Sequence, residues 1–207
     1  MSGRLNERVP VNPAAKRGLV VFLFGLLVLA GTIAYSLLRD HEFDESVGVS
    51  IGGPFTLTDQ NGAVRHDSEF RGRLMLVYFG YTYCPDACPA ALNLMTAAMD
   101  HLGKAADAVQ PIFITVDPER DTVAQMKTYA SNFTPRLLAL TGTPDEIAAA
   151  ARAYRVYFQK VAGEGKDDYS MDHSAFVYLM GRDGRYLTHF GPEVTAEQMA
   201  AAIQKFL

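Results

Sequence analysis

A layered α/β domain behind one membrane-spanning helix is what the sequence predicts, on three observations. From residue 53 onward, short apolar runs alternate with helix-capping signals. Near the N-terminus a 21-residue stretch, Gly18 to Leu38, carries no charge. The chain's two cysteines, Cys84 and Cys88, follow directly on one of the apolar runs, in "LMLVYFGYTYCPDACPAALNLM".

The uncharged stretch comes first. At ~1.5 Å rise per residue it makes a helix of ~30 Å, the thickness of a bilayer's hydrocarbon core. It is longer than the ~7–15-residue apolar region of a cleaved signal peptide. It is therefore read as a retained anchor, although Thr32-Ile33-Ala34 offers a small-x-small cleavage pattern. It contains no cysteine, which excludes a lipoprotein anchor. Arg4, Arg8, Lys16 and Arg17 precede it, whereas acids dominate the segment after it: Asp40, Glu42, Asp44 and Glu45. Positive flanks stay inside. Residues 1–17 are thus expected in the cytoplasm, 18–38 in a bacterial inner membrane, 39–51 as a linker, and 52–207 as one domain facing the periplasm. That space is oxidising and permits a disulfide. A net charge of −4 gives no basic footprint for nucleic acid.

The outer domain reads element by element. "PFTLTDQNGAVRH" alternates around Asn61-Gly62, a hairpin signal. Leu74 to Phe79 is continuously apolar, as in a strand buried on both faces. After the cysteines, Leu92, Met95, Met99 and Leu102 form one helical stripe, closed by Gly103. "PIFITVD" is the next buried strand. Thr122 with Gln125 is a capping-box pattern, opening a helix to about Phe133. "LLALTG" is a third strand. Thr143-Pro144-Asp145-Glu146 is a second box with proline at the first helical position, and its helix runs to about Tyr157.

Val161 to Asp172 is polar and glycine-containing, a loop or hairpin. "AFVYLM", "GRDG" and "RYLTHF" make a terminal hairpin, and Thr195 with Gln198 caps a last helix. A hairpin, then βαβα, then a closing ββα suits a thioredoxin-like sandwich. The dithiol then sits at the carboxyl end of the first central strand, where α/β sheets place their sites.

The cysteines admit three roles: redox chemistry, metal binding or a structural staple. A bridge across three intervening residues removes little chain entropy, so it is a poor staple. Pro89 is tolerated at the first position of a helix, which makes Cys88 the expected N-cap. Its sulfur would then lie at the positive helix end, which favours the thiolate that attacks disulfides and binds soft metals. The stretch "YSMDHSAFVYLM" leads into the final hairpin and carries His173 beside the dithiol.

Two thiolates and an imidazole make a soft, three-coordinate donor set that fits Cu(I), and also Cu(II) with an added oxygen. Structural zinc is normally closed by four protein ligands. Met171 is a further soft donor of lower weight, and Met95 and Met99 belong to the helix's apolar stripe. Tyr81 and Tyr83 either screen the metal or pack at the strand end. His41, His66, His101 and His189 have no placement near the dithiol. A peroxidase of the same fold would need Pro-x-x-x-Thr-x-x-Cys. Here Thr82 stands two residues before Cys84 with no proline upstream.

"FGYTYCPDACP", "VDPERDT", "YSMDHSAFVYL" and "GGPFTLTDQNG", in this order and spacing, resemble the Sco/SenC family of membrane-anchored copper proteins for cytochrome c oxidase assembly. The resemblance covers nearly everything from Gly52 to the end. It implies a thioredoxin-like fold with an inserted hairpin and copper on Cys84, Cys88 and His173. The implied task is delivery of copper to the dinuclear centre of oxidase subunit II. The alternative is a thiol–disulfide oxidoreductase, with Cys84 and Cys88 as its catalytic dithiol, that keeps that centre's cysteines reduced. Another periplasmic copper chaperone or a thiol reductant would be a further partner. Asp117 and Asp121 of "VDPERDT" are expected to have a structural or docking role.

Overall fold

The structure, a computed structural model, describes residues 26–29, 31–32, 51–163 and 168–207. The chain divides into two units, Met1–Val49 and Ser50–Leu207. In the first, residues 26–29 and 31–32 are helical. The rest of the stretch read as an anchor lies outside the described residues, and no helix among them is long and apolar enough to cross a membrane.

The second unit is built on a seven-stranded sheet of order β2-β1-β5-β4-β3-β8-β9. β1 (Thr56–Asp59) and β2 (Val64–His66) form the expected hairpin. Its turn closes through Gly62, whose φ of +84° is open to glycine at no steric cost. The centre is β3 (Leu74–Gly80) parallel to β4 (Val109–Thr115), which is parallel to β5 (Leu138–Thr141). β8 (Val177–Met180) and β9 (Tyr186–Phe190) complete it as the terminal hairpin.

All seven residues of β3 are buried. A strand covered on both faces must be apolar throughout, which is why this run lacks alternation. Its neighbouring side chains nevertheless point to opposite layers. Tyr78 faces Cys88, while Phe79 packs on Tyr154 with ring centroids 5.3 Å apart.

Four helices cover the sheet: α1 (Ala87–Leu102), α2 (Val123–Ala130), α3 (Pro144–Ala153) and α4 (Ala196–Gln204). α1 buries the predicted stripe Leu92, Met95, Met99 and Leu102 and packs against α4. Gly103 ends it with φ +56°. Thr143 and Thr195 make reciprocal capping boxes with Glu146 and Gln198.

Two helices stop earlier than the sequence suggests. α2 closes at Ser131 rather than Phe133, because Asn132 Nδ2 donates to the carbonyls of Thr128 and Tyr129 and the main chain tightens. α3 ends at Tyr154, since Arg155 adopts φ +57° and turns the chain. The polar stretch before His173 is a hairpin. β6 (Phe158–Ala162) pairs with β7 (Tyr169–His173) as a separate two-stranded ribbon.

Candidate metal centre

Three chain segments converge at the carboxyl edge of β3 and β4. The Tyr81–Asp86 loop leaves β3 and feeds α1, the "VDPERD" loop leaves β4, and β7 brings His173 from the ribbon. Helix α1 begins one residue before Cys88, with Asp86 as its N-cap; Cys88 is therefore not the cap expected from Pro89. The reason is local. None of the first-turn amides has an intrahelical partner, so a proline two residues further in still sacrifices no bond. The Cys88 amide, one of those free donors, donates to Cys84 Sγ at 3.3 Å.

It is therefore the Cys84 sulfur, not that of Cys88 as expected from sequence, that lies at the free amides of the helix start. Cys84 is partly exposed and receives the helix amide. Cys88 is fully buried, and burial pushes its thiol up to about 12. The Tyr78 hydroxyl donates to Cys88 Sγ at 3.7 Å, a partial compensation for lost solvent. Both cysteines are free thiols.

His173 meets this pair. Its Nε2 lies 3.4 Å from Cys88 Sγ, and its Nδ1 lies 3.0 Å from the Ser174 carbonyl. A carbonyl only accepts, so in the neutral ring Nδ1 carries the proton and Nε2 presents a lone pair towards the sulfur. Tyr81 and Tyr78 hold the ring edge-on, at centroid distances of 5.9 and 6.2 Å. Among the described residues no three His, Cys, Asp or Glu side chains already surround one ion position. Two donors, Cys88 and His173, face each other, while Cys84 Sγ is turned to the Cys88 amide. The donor chemistry fits a soft ion.

The other candidates sort cleanly. Met171 is buried in the core, as are Met95 and Met99. Tyr81 is buried against the site and Tyr83 is mostly exposed. His66 bonds Thr56, His101 meets Glu197 and His189 bonds Tyr186, whereas His41 lies outside the described residues.

Asp121 supplies a link that the sequence left undefined. Fully buried, it accepts from the Thr82 amide at 3.0 Å and hydroxyl at 2.6 Å, and from the Thr115 hydroxyl at 2.6 Å. Burial raises its pKa, against the pull of these donors. It ties the cysteine loop to the end of β4. Gln125, expected to close a capping box, donates instead to the Thr82 hydroxyl at 3.0 Å and strengthens the same junction. Thr82 stands 39 residues from Asp121 and 43 from Gln125, so no local pattern announces these two bonds.

Gly80 is equally local to the site. A Cβ there would lie 2.7 Å from Cys88 Sγ, 3.0 Å from the Tyr78 ring and 3.1 Å from Phe113. Gly80→Ala is expected to displace the sulfur and destabilise the domain by about 1–3 kcal/mol, as overpacking does. A lower urea midpoint at unchanged slope is the reading that checks it.

The SCO1/SenC family model matches residues 44–207, most of the chain. The chain belongs to the SCO1/SenC family. Its relatives within that family include an SCO2-like protein of Rickettsia prowazekii, 41% identical over 152 residues, or 73% of this chain and 74% of the relative. Among solved structures, a Sco protein of Bradyrhizobium japonicum with copper bound aligns with a TM-score of 0.72 at 49% identity. The alignment covers 76% of this chain and all of that one. BsSco, described as carrying a disulfide switch and as a member of the Sco family of cytochrome c oxidase assembly proteins, aligns at a TM-score of 0.61 and 26% identity. It covers 75% of this chain and 92% of BsSco. The fold of this SCO1/SenC member is the thioredoxin-like Sco fold with the inserted ribbon described above.

Proposed function

We propose that the domain carries one copper ion as Cu(I) on Cys84 Sγ, Cys88 Sγ and His173 Nε2. Its acceptor is the dinuclear copper centre of cytochrome c oxidase subunit II. The observation that carries the reading is the imidazole Nε2 facing Cys88 Sγ at 3.4 Å. A thiol–disulfide oxidoreductase needs two sulfurs and no such nitrogen. The copper bound by the Bradyrhizobium japonicum protein and the assembly role of the family named with BsSco support the same reading.

Loading draws Cys84 Sγ from the Cys88 amide to the ion and displaces the thiol protons. A three-coordinate ion leaves room for an incoming ligand before one departs, which suits transfer. In this reading residues 18–38 anchor the chain in a bacterial inner membrane, 1–17 are cytoplasmic, and 52–207 work in the periplasm beyond the 39–51 linker. A second copper chaperone or a thiol reductant supplies the domain.

The test mixes the full chain in detergent, loaded with Cu(I), with the reduced copper-free subunit II domain under anaerobic conditions. Copper should move to the acceptor, with the donor's thiols left reduced. Reduction of an oxidised acceptor by the copper-free chain, with no metal transfer from the loaded chain, would overturn delivery.

A further inference from the structure

The ribbon that carries His173 pairs with no strand of the seven-stranded sheet. A two-stranded ribbon alone is marginal in water, so contacts outside its own ladder must hold His173 against the cysteines. Besides Tyr78 and Tyr81, which flank the imidazole itself, Arg120 reaches from the β4 loop to the ribbon. Arg120 Nη1 donates to the Tyr169 carbonyl in β7 at 3.0 Å, and its guanidinium carbon sits 3.6 Å from the Tyr169 ring centre. Its Nε pairs with Asp117 at 2.5 Å, and Asp117 accepts from the Tyr169 hydroxyl at 2.9 Å. The guanidinium also lies 4.7 Å from the centre of the Tyr83 ring, in the residue before Cys84.

This is a different arrangement from a surface ion pair. Among the described residues Arg120 Nη2 is buried without a hydrogen-bond partner, a cost that the stacking and the two remaining bonds must offset. The nearby Lys160–Glu119 pair is exposed on both sides and contributes little. Arg120 thus bridges the ribbon and the cysteine loop.

We propose that Arg120 is a positioning residue for the copper site, fixing the ribbon so that His173 Nε2 stays in reach of the two sulfurs. This rests on the two-sulfur, one-nitrogen reading above. Its planar fork and stacking surface do what lysine's point charge does not.

The experiment measures Cu(I) affinity of the full chain in detergent by anaerobic competition with a chromophoric chelator. Arg120→Gln should weaken copper by about 10–100-fold, the range for residues that orient a ligand. Arg120→Lys should fail to rescue it. In a His173→Ala background, Arg120→Gln should change affinity by less than about twofold, because the coupling runs through the imidazole.

Should Arg120→Gln not fold, Tyr83→Ala removes one stacking face from an exposed position and enters the same cycle, with a loss that vanishes without His173. Wild-type affinity in Arg120→Gln, rescue by lysine, or an equal loss with and without His173 would each overturn the positioning role. Wild-type affinity in His173→Ala alone would instead overturn the donor set itself, so the two failures are distinguishable.

Discussion

Cys88→Ala is expected to abolish copper uptake that survives a competing thiol ligand, where the wild-type chain retains one Cu(I). Cys88 touches both of the other proposed donors: its sulfur faces His173 and accepts from Tyr78, and its amide donates to Cys84 Sγ. Alanine keeps the amide contact and the helix start but removes the donor common to both halves. A remaining Cys84–His173 pair has one sulfur, exposed to exchange. His173→Ala should retain both sulfurs and weaken Cu(I) by at least about tenfold if His173 ligates as proposed, since a direct ligand is worth no less than residues that merely orient one. Equilibrium competition measured anaerobically reads both variants. Full affinity in either would remove the basis of the metal assignment.

Asp121→Ala is expected to lower stability by about 3 kcal/mol, equivalent to a melting temperature about 6–12 °C lower for a domain of this size. The carboxylate is fully buried and satisfies the amide and hydroxyl of Thr82 together with the Thr115 hydroxyl. Removing it strands these donors away from water, and each stranded group costs about 1–3 kcal/mol. Thr82 stands two residues before Cys84, so copper affinity should fall as well. Chemical denaturation separates the two effects: a variant with reduced copper affinity but wild-type unfolding would contradict the proposed junction. Asp121→Asn, which retains one acceptor oxygen, should lose less.

Much of the fold was legible because its signals are local. β3 is read from an unbroken apolar run, α1 from a four-residue stripe with a terminal glycine, and α3 and α4 from threonine caps that the structure closes in full. The N-cap of α1 was misplaced because proline is compatible with several first-turn positions and so marks a helix start only to within a residue or two. That shift puts Cys84 Sγ, rather than Cys88 Sγ, against a free amide of the helix start. The contact of His173 with Cys88 spans 85 residues and was legible through its place before the final hairpin. Asp121 and Arg120 were not legible in their roles. Their partners, Thr82 and Tyr169, lie 39 and 49 positions away, and the bonds exist only once the parallel strands and the ribbon are assembled.

The unequal burial of the two sulfurs gives any approaching molecule a direction. Cys84 can be reached from solvent, whereas Cys88 is sealed beneath Tyr78 and Gly80. An alkylating reagent would mark Cys84 first and Cys88 only after local opening. In the copper site proposed above, an acceptor's ligand would meet the same asymmetry, reaching the outer sulfur first and the inner one last.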